Sequence, residues 1–359
     1  MPSSGLVTDH QAIPQSREAA AVSSASDATE WDAYVTAHPD ATADHLWGWT
    51  RVFKAALNQT PRYLVARRNG ITCGVLPLVL FQSRLFGRSA ISLPFLNYGG
   101  MLVDDDEAGT ALVDAATREA SAFRASHLEL RHVARQCHTL PFRQHKLRMA
   151  MPLAGTPEAL WGGLDRKIRN QVRKAQKENL SVVAGGVDLV DQFYAVFARN
   201  MRDLGTPVYP MSLFSETLAA FPDSAKVYLV RRGPQAIAAG FTVRFRDTVL
   251  NPWASSLREF RNLCPNVLLY WTMLEQAVIG GASVFDFGRS SPGGGTHQFK
   301  EQWGAEATPM HWEYVLLSRA EPPNQGPSNP KFERLIETWK RLPLPVANFV
   351  GPMIARQLP

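Results

Sequence analysis

Residues 286–304 read DFGRSSPGGGTHQFKEQWG, and no other stretch limits the fold as tightly. A short apolar run over residues 283–287 carries Asp286 and reads as a buried strand delivering an acid near its C-terminal end. Gly293, Gly294 and Gly295 then make a loop that no regular element tolerates. Phe299 and Trp303 anchor a short helix and leave Lys300 facing that loop. Strand, loop and helix together bring one acid, Arg289 and Lys300 to the rim of a sheet, where open α/β sheets take their ligands. The glycines lack the GK[ST] ending of a phosphate-binding P-loop. Asp286-Phe287-Gly288 stands without the other elements of a protein kinase.

A chain of 359 residues exceeds one ordinary core, so two lobes are expected. Its formal charge of +6 suits an anionic partner without choosing one. Cys73, Cys137 and Cys264 form no CxxC pair, so reduced thiols are expected and neither a zinc site nor a disulfide framework is implied. Residues 1–28 are rich in Ser and Ala with scattered acids and read as an unstructured lead-in, not a secretory signal. No run approaches a membrane span.

The first lobe is expected over residues 29–151. Two β-rich runs, 63–67 and 71–81, flank the turn Arg68-Asn69-Gly70, a hairpin signal. A strand over 89–92 leads into SLPFLNYGG, residues 92–100, and a helix over 107–124 precedes a strand over 127–131. The second lobe is expected over residues 152–320. It has helices over 165–178, 187–200 and 212–221, strands over 226–231, 236–244 and 248–255, a helix over 265–279, then strand 284–287, the Lys300 helix and strand 311–317. That order matches an acyltransferase core of the GNAT type, an α/β (α+β) arrangement. Residues 321–329 read as a linker and 330–359 as C-terminal helices, the last with Val346, Phe349 and Met353 on an apolar surface able to pack on the body or meet a membrane or partner.

Residues 166–177 hold six cations and no acid. Arg166, Arg169, Arg173 and Lys177 share one helical face. Unopposed cations repel one another, which favours an anionic ligand beside the alternative of a solvated charged face. Conventional acetyl-CoA enzymes place a glycine-rich pyrophosphate loop where this chain has Arg258-Glu259-Phe260-Arg261-Asn262-Leu263. The absence of glycine there argues against a conventional CoA site. His127, His132, His138 and His145 follow no metal-binding spacing.

SLPFLNYGG (92–100), RKIRNQVRKAQKENL (166–180), FKEQWG (299–304) and the terminal PLPVANFVGPMIARQLP together resemble the Fem family of aminoacyltransferase-like proteins, more closely its branch associated with exosortase/PEP-CTERM systems. The resemblance implies two GNAT-like lobes with a ligand groove between them and C-terminal helices behind. Cell-wall Fem enzymes move an amino acid from aminoacyl-tRNA to an amine of a UDP-linked precursor. Lys300 stands where their FKxxFG lysine contacts the acceptor phosphates. Tyr98, Gly99 and Gly100 would sit on the groove side, and Arg169 and Arg173 match their basic segment. The long helical hairpin that some Fem enzymes use with tRNA has no counterpart here.

The expected function is therefore an acyltransferase of aminoacyltransferase type, acting on an amine of a cell-envelope or exopolysaccharide sugar precursor. Asp286 and Lys300 would be catalytic, and Arg289, Lys300, Tyr98, Gly99, Gly100, Arg169 and Arg173 would bind substrate, with no metal. No tightly bound cofactor is expected; aminoacyl-tRNA, acyl-CoA or an acyl carrier would be co-substrate. Expected partners are an anionic sugar-nucleotide-like substrate, tRNA, and membrane or exopolysaccharide machinery through the last helix, at a cytoplasmic location peripheral to the inner membrane. Two alternatives stand beside it: an acyl-CoA or acyl-carrier-protein dependent GNAT enzyme, and a non-catalytic docking protein of polysaccharide assembly.

Overall fold

A computed structural model describes residues 18–323 and 330–359, with residues 330–333 described by their backbone alone. In chain order its strands are β1 (Ala21–Ser24), β2 (Thr60–Arg68), β3 (Ile71–Ser83), β4 (Gly87–Ile91), β5 (Leu102–Val103), β6 (His127–His132), β7 (Phe142–Arg143), β8 (Leu147–Pro152), β9 (Leu180–Gly185), β10 (Ala225–Arg232), β11 (Gln235–Phe245), β12 (Thr248–Ser256), β13 (Val284–Ser290), β14 (Glu306–Pro309) and β15 (His311–Leu316). The helices are α1 (Ala28–Ala37), α2 (Trp49–Ala55), α3 (Asp106–Ala122), α4 (Pro157–Gly163), α5 (Arg166–Lys177), α6 (Val190–Leu204), α7 (Met211–Ala220), α8 (Pro265–Ile279), α9 (Gly295–Gln302), α10 (Pro330–Lys340) and α11 (Leu344–Ala355).

The strands form two sheets built on one plan. The first runs β1-β2-β3-β4-β6-β15-β7 with β5 beside β3; the second runs β14-β8-β13-β12-β11-β10-β9. Each starts from antiparallel hairpins, because short turns permit nothing else. Asn69 and Gly70 both take positive φ, as the tight β2–β3 turn demands. A parallel pair needs a long crossover, and α3 and α8 supply it for β4 with β6 and for β12 with β13. α3 opens on Asp105, whose carboxylate accepts from the Ala108 N–H; α8 opens on Pro265, whose missing donor costs nothing at a first turn.

Each lobe is completed by a strand from the other half of the chain. The sequence reading leaves 147–151 in the first lobe and 311–317 in the second, and the structure corrects both. β8 pairs with β13, with Ala150 opposite Asp286, and β15 pairs with β6, with Glu313 opposite Leu130. Local propensity marks a strand but not the edge it joins. Here the decision belongs to Met310, Trp312 and Tyr314, which enter the core shared by both lobes, and to Glu313, which bonds His132.

That shared core lies between the sheets and joins Trp31, Trp49, Phe53 and Phe81 of the first lobe to Phe193, Phe214, Phe241 and Trp253 of the second. α3 covers the far face of the first sheet; α5 and α8 cover that of the second. Burying one large apolar side chain contributes about 1.5–3 kcal/mol, so this belt outweighs any single polar contact between the lobes.

Two further expectations change. Of the lead-in expected through residue 28, residues 1–17 lie outside the described residues, but Ala21–Ser24 pair with β2, Val22 opposite Ala66. α1 then starts on Asp27, which accepts from the N–H groups of Thr29 and Glu30. Alternation too short to register in sequence suffices once an edge is offered. Most of the expected linker, residues 324–329, lies outside the described residues. The final helix packs on the body through Ala347, Gly351 and Ala355, and a Cβ at Gly351 would come within 3.0 Å of Val208. Its end is tied to the first lobe: the Arg356 Nε donates to the Ala56 carbonyl (3.1 Å) and the Ser83 hydroxyl donates to the Gln357 carbonyl (2.9 Å). Val346, Phe349 and Met353 remain exposed on its outer face.

Candidate active site at the strand fork

β12 and β13 run parallel for three register pairs, Thr248 with Val284, Val249 with Phe285 and Leu250 with Asp286. Beyond them the strands part: β12 stays on β11 as far as Ser256 and β13 stays on β8 as far as Ser290. Asp286 therefore sits where the sheet opens. Strand alternation sends Phe285 and Phe287 into the core beneath α8 and sets Asp286 and Gly288 on the opposite face.

Asp286 is 1 % exposed and its oxygens are engaged. Oδ1 accepts from the Tyr98 hydroxyl (2.7 Å) and the Gly288 N–H (2.8 Å); Oδ2 accepts from Nε of Arg148 (2.8 Å). Tyr98 comes from the first lobe and Arg148 from the exchanged strand, so this carboxylate is a junction of three chain segments. The guanidinium of Arg148 also lies 5.6 Å from the Tyr98 ring centroid. Burial and the adjacent carboxylate drive the Tyr98 phenol well above its ordinary range, so it is a proton donor to Asp286 at neutral pH.

The loop carrying Tyr98 is held in an uncommon shape. Leu93 and Phe95 adopt positive φ, which costs on the order of 1–3 kcal/mol per residue outside glycine. Asp44, 1 % exposed, offsets it by accepting from the N–H groups of Asn97 (3.1 Å) and Tyr98 (2.9 Å). Burial pushes its carboxyl up to about 7, with a smaller contribution from Asp286. Gly99 takes φ +148°, and a Cβ at Gly100 would stand 2.1 Å from the His132 ring. His132 in turn accepts from the Met101 N–H through Nε2 (3.1 Å) and is bonded to Glu313 through Nδ1 (2.6 Å). The structure thus gives both glycines a packing role behind the tyrosine.

Lys300 is 8 % exposed. Its ammonium donates to the carbonyls of Gly288 (3.3 Å) and Arg289 (2.9 Å), tying α9 to the end of β13, where Gly288 has φ +71°. Burial brings its pKa down to about 8, against the opposing pull of Asp286. The Arg289 guanidinium lies 5.6 Å from the Trp312 ring centroid, and burial with nearby Arg131 lowers it to about 10. Tyr98, Asp286, Lys300 and Arg289, chosen from sequence, thus come together. Arg169 and Arg173 do not join them: α5 buries Ile168, Val172 and Ala175, and Arg173 lies over the Trp161 ring. Among the described residues no hydrogen bond or ion pair links α5 to the fork. Its first turn instead faces the far end of α9 across a cleft of about 530 Å³ lined by Asp165, Lys167, Gln302 and Trp303.

Sequence reasoning missed Arg148 and Asp44, which neutralise and hold the site. Neither carries a local motif; both act through partners more than 50 residues away. The glycine-free stretch before α8 forms a 3-10 turn over Arg258–Leu263, with the Cys264 N–H donating to the Arg261 carbonyl.

A family model described as an acetyltransferase (GNAT) domain matches residues 164–301. Among solved structures, FemX is similar at TM-score 0.62 and 17% identity, over 82% of this chain and 97% of that one. The C-terminal domain of a putative lysylphosphatidylglycerol synthetase from Agrobacterium fabrum is similar at TM-score 0.56 and 12% identity, over 80% and 90%. L-PGS from Bacillus licheniformis is similar at TM-score 0.53 and 10% identity, over 92% and 97%. No curated protein matches the sequence. The chain has the fold of two GNAT-like lobes. The opened fork belongs to the second lobe, and Tyr98 of the first lobe closes against it.

Proposed function

We propose that the protein is an N-acyl or aminoacyl transferase acting on an amine of an anionic cell-envelope or exopolysaccharide sugar precursor. The reading is carried by one observation: Asp286, at the opened fork, is bonded across the interface of the lobes to Tyr98, and Lys300 and Arg289 lie beside it. The Fem resemblance of the motifs and the likeness to FemX support aminoacyl-tRNA as donor. The 3-10 turn over Arg258–Leu263, without glycine, supports it over acyl-CoA.

In the reaction a neutral amine nitrogen attacks the carbonyl carbon of the aminoacyl ester. A C–N bond forms, the C–O bond to the tRNA ribose breaks, and the nitrogen's proton leaves with the released hydroxyl. Positioning and charge supply the acceleration. Asp286 has both oxygens engaged, so its part is to orient, fixing Tyr98 and Arg148 at the groove wall. Lys300 and Arg289 hold the anionic acceptor and the developing oxyanion. The link to exosortase/PEP-CTERM systems rests on the motifs named above. The exposed Val346, Phe349 and Met353, flanked by Lys340, Arg341 and Arg356, support a peripheral contact with an inner-membrane surface.

The test is ligand-induced stabilisation of the purified protein, since a ligand bound only to the folded state raises the melting temperature. The expected result is a shift with aminoacyl-tRNA or a UDP-amino sugar that is lost in Lys300→Ala. A shift with acyl-CoA alone would overturn the donor assignment, and none with any of the three would overturn the enzyme.

A further inference from the structure

Beside the fork, on the first-lobe side, two guanidinium groups converge on one indole, and each of the three side chains carries an enclosed donor. The guanidinium of Arg131, in β6, lies 4.2 Å from the Trp312 ring centroid, and that of Arg289, in β13, lies 5.6 Å from it. Nη1 of Arg131, Nη1 of Arg289 and Nε1 of Trp312 are all buried and have no hydrogen-bond partner. Arg131 is 2 % exposed, and its Nε is already committed to Glu129 (2.7 Å). Lys146, just before β8, reaches the same place and donates to the Ser291 hydroxyl (2.9 Å).

The charges do not balance. Arg131 is matched by Glu129 and Arg148 by Asp286. Among the described residues Arg289 and Lys146 have no carboxylate within ion-pair distance. Asp44 acts on Arg289 only at a distance and is itself pushed toward neutrality by burial. Burial, Arg289 and Arg131 together bring Lys146 down to about 8, the mark of cations crowded without a counter-ion. Buried donors left without acceptors are uncommon in a folded chain, and a guanidinium fork with a neighbouring ammonium fits a phosphoryl group better than any neutral one. Arg289, Lys146 and Ser291 are partly or wholly open to solvent, so the seat has a mouth, with Arg131 and Trp312 as its floor.

We propose that Arg131, Arg289, Lys146 and the Trp312 N–H form a seat for a phosphoryl group, completed only when the two lobes meet. The excess of two cations, Arg289 and Lys146, matches a dianion better than a single carboxylate. The seat rests on the reading of the acceptor as anionic and identifies its class as a phosphate or diphosphate ester.

The test is calorimetric titration at low salt with inorganic pyrophosphate, UDP, succinate and vesicles containing phosphatidic acid. It reads binding alone, so the seat can fail while transfer is observed and can stand where no transfer is found. Pyrophosphate is expected to bind wild type and to lose about tenfold or more in affinity in Arg289→Gln and in Lys146→Gln, with Lys226→Gln, on an exposed strand residue, unchanged. Both variants alter partly exposed side chains and leave the Arg131–Glu129 pair intact; their ligand-free melting temperatures report folding. UDP binding tighter than pyrophosphate, or vesicle binding lost in Arg289→Gln, supports the seat and names its source. Succinate binding as tight as pyrophosphate, unchanged affinity in both variants, or no oxoanion binding by wild type overturns it.

Discussion

The two forks of the molecule share a topology and differ in how they neutralise the acid at the opening. In the first lobe β4 and β6 part after Ile91 and Glu129, and Glu129 finds its cation two residues along its own strand, in Arg131. In the second lobe Asp286 finds Arg148 on an exchanged strand and Tyr98 in the other lobe. The first acid is satisfied within its own sheet, by Arg131 and by Tyr314 of the neighbouring β15; the second is satisfied only when the lobes are in place. The same fold step thus serves local order at one end and alignment of the groove at the other.

The largest way to break this comparison is to remove the acids. Asp286→Ala leaves Arg148 partnerless beside a buried phenol and is expected to cost on the order of 3–5 kcal/mol, read as a lowered denaturant midpoint, and to abolish turnover. Glu129→Ala should cost a similar amount yet leave the Tyr98 loop in place, so the two variants should separate in protease sensitivity of residues 92–100. Equal sensitivity would dissolve the distinction between the forks.

Tyr98→Phe isolates the contact between lobes. It deletes one buried hydrogen bond to a carboxylate, worth about 1.5–3 kcal/mol, and should lower turnover more than its stability loss explains, because Asp286 then keeps only the Gly288 N–H and Arg148. Unchanged turnover would remove Tyr98 from the groove wall.

Lys300 sharpens the comparison through pH. Its pKa lies near 8 in the folded protein against 10.5 for the ordinary group, so the folded state prefers the neutral amine. Between those values the unfolded chain binds more protons, and stability rises with pH. Wild type should therefore gain on Lys300→Met as pH goes from 7 to 10, by at most about 3 kcal/mol. The difference in melting temperature between the two proteins measures it, and a flat difference would place the ammonium in water.

The smallest effect belongs to the outer face of α11. Phe349 is 75 % exposed, so Phe349→Ser should move stability by less than about 0.5 kcal/mol while reducing flotation with anionic vesicles. Full flotation in the variant would assign that face to something other than lipid.

Much of this site could be read in advance because its signals are local. Asp286, Gly288, Arg289 and Lys300 lie within fifteen residues, and the Phe299–Trp303 spacing orients the helix by periodicity alone. Tyr98 was legible through the resemblance of SLPFLNYGG to the Fem family, not from its own surroundings in the sequence. Arg148 and Asp44 were not, because an arginine in an ordinary strand and an aspartate in a short turn acquire meaning only from partners brought in by the fold. The same holds for Arg131 and Trp312, which read as strand residues until β15 is laid beside β6. α5 shows the converse: its charge pattern is conspicuous, yet amphipathic packing on α8 accounts for where it lies, and it does not touch the fork.

The exchange of β8 and β15 also governs how the chain comes into being. The first sheet lacks its penultimate strand until residue 316 has been made, nearly the full length of the protein. A ribosome releasing the chain from its N-terminus therefore presents an unfinished edge along β6 throughout synthesis of the second lobe, and domain-wise folding is closed to the first half. Completion of the two halves is a single late event, and the groove between them is born with it.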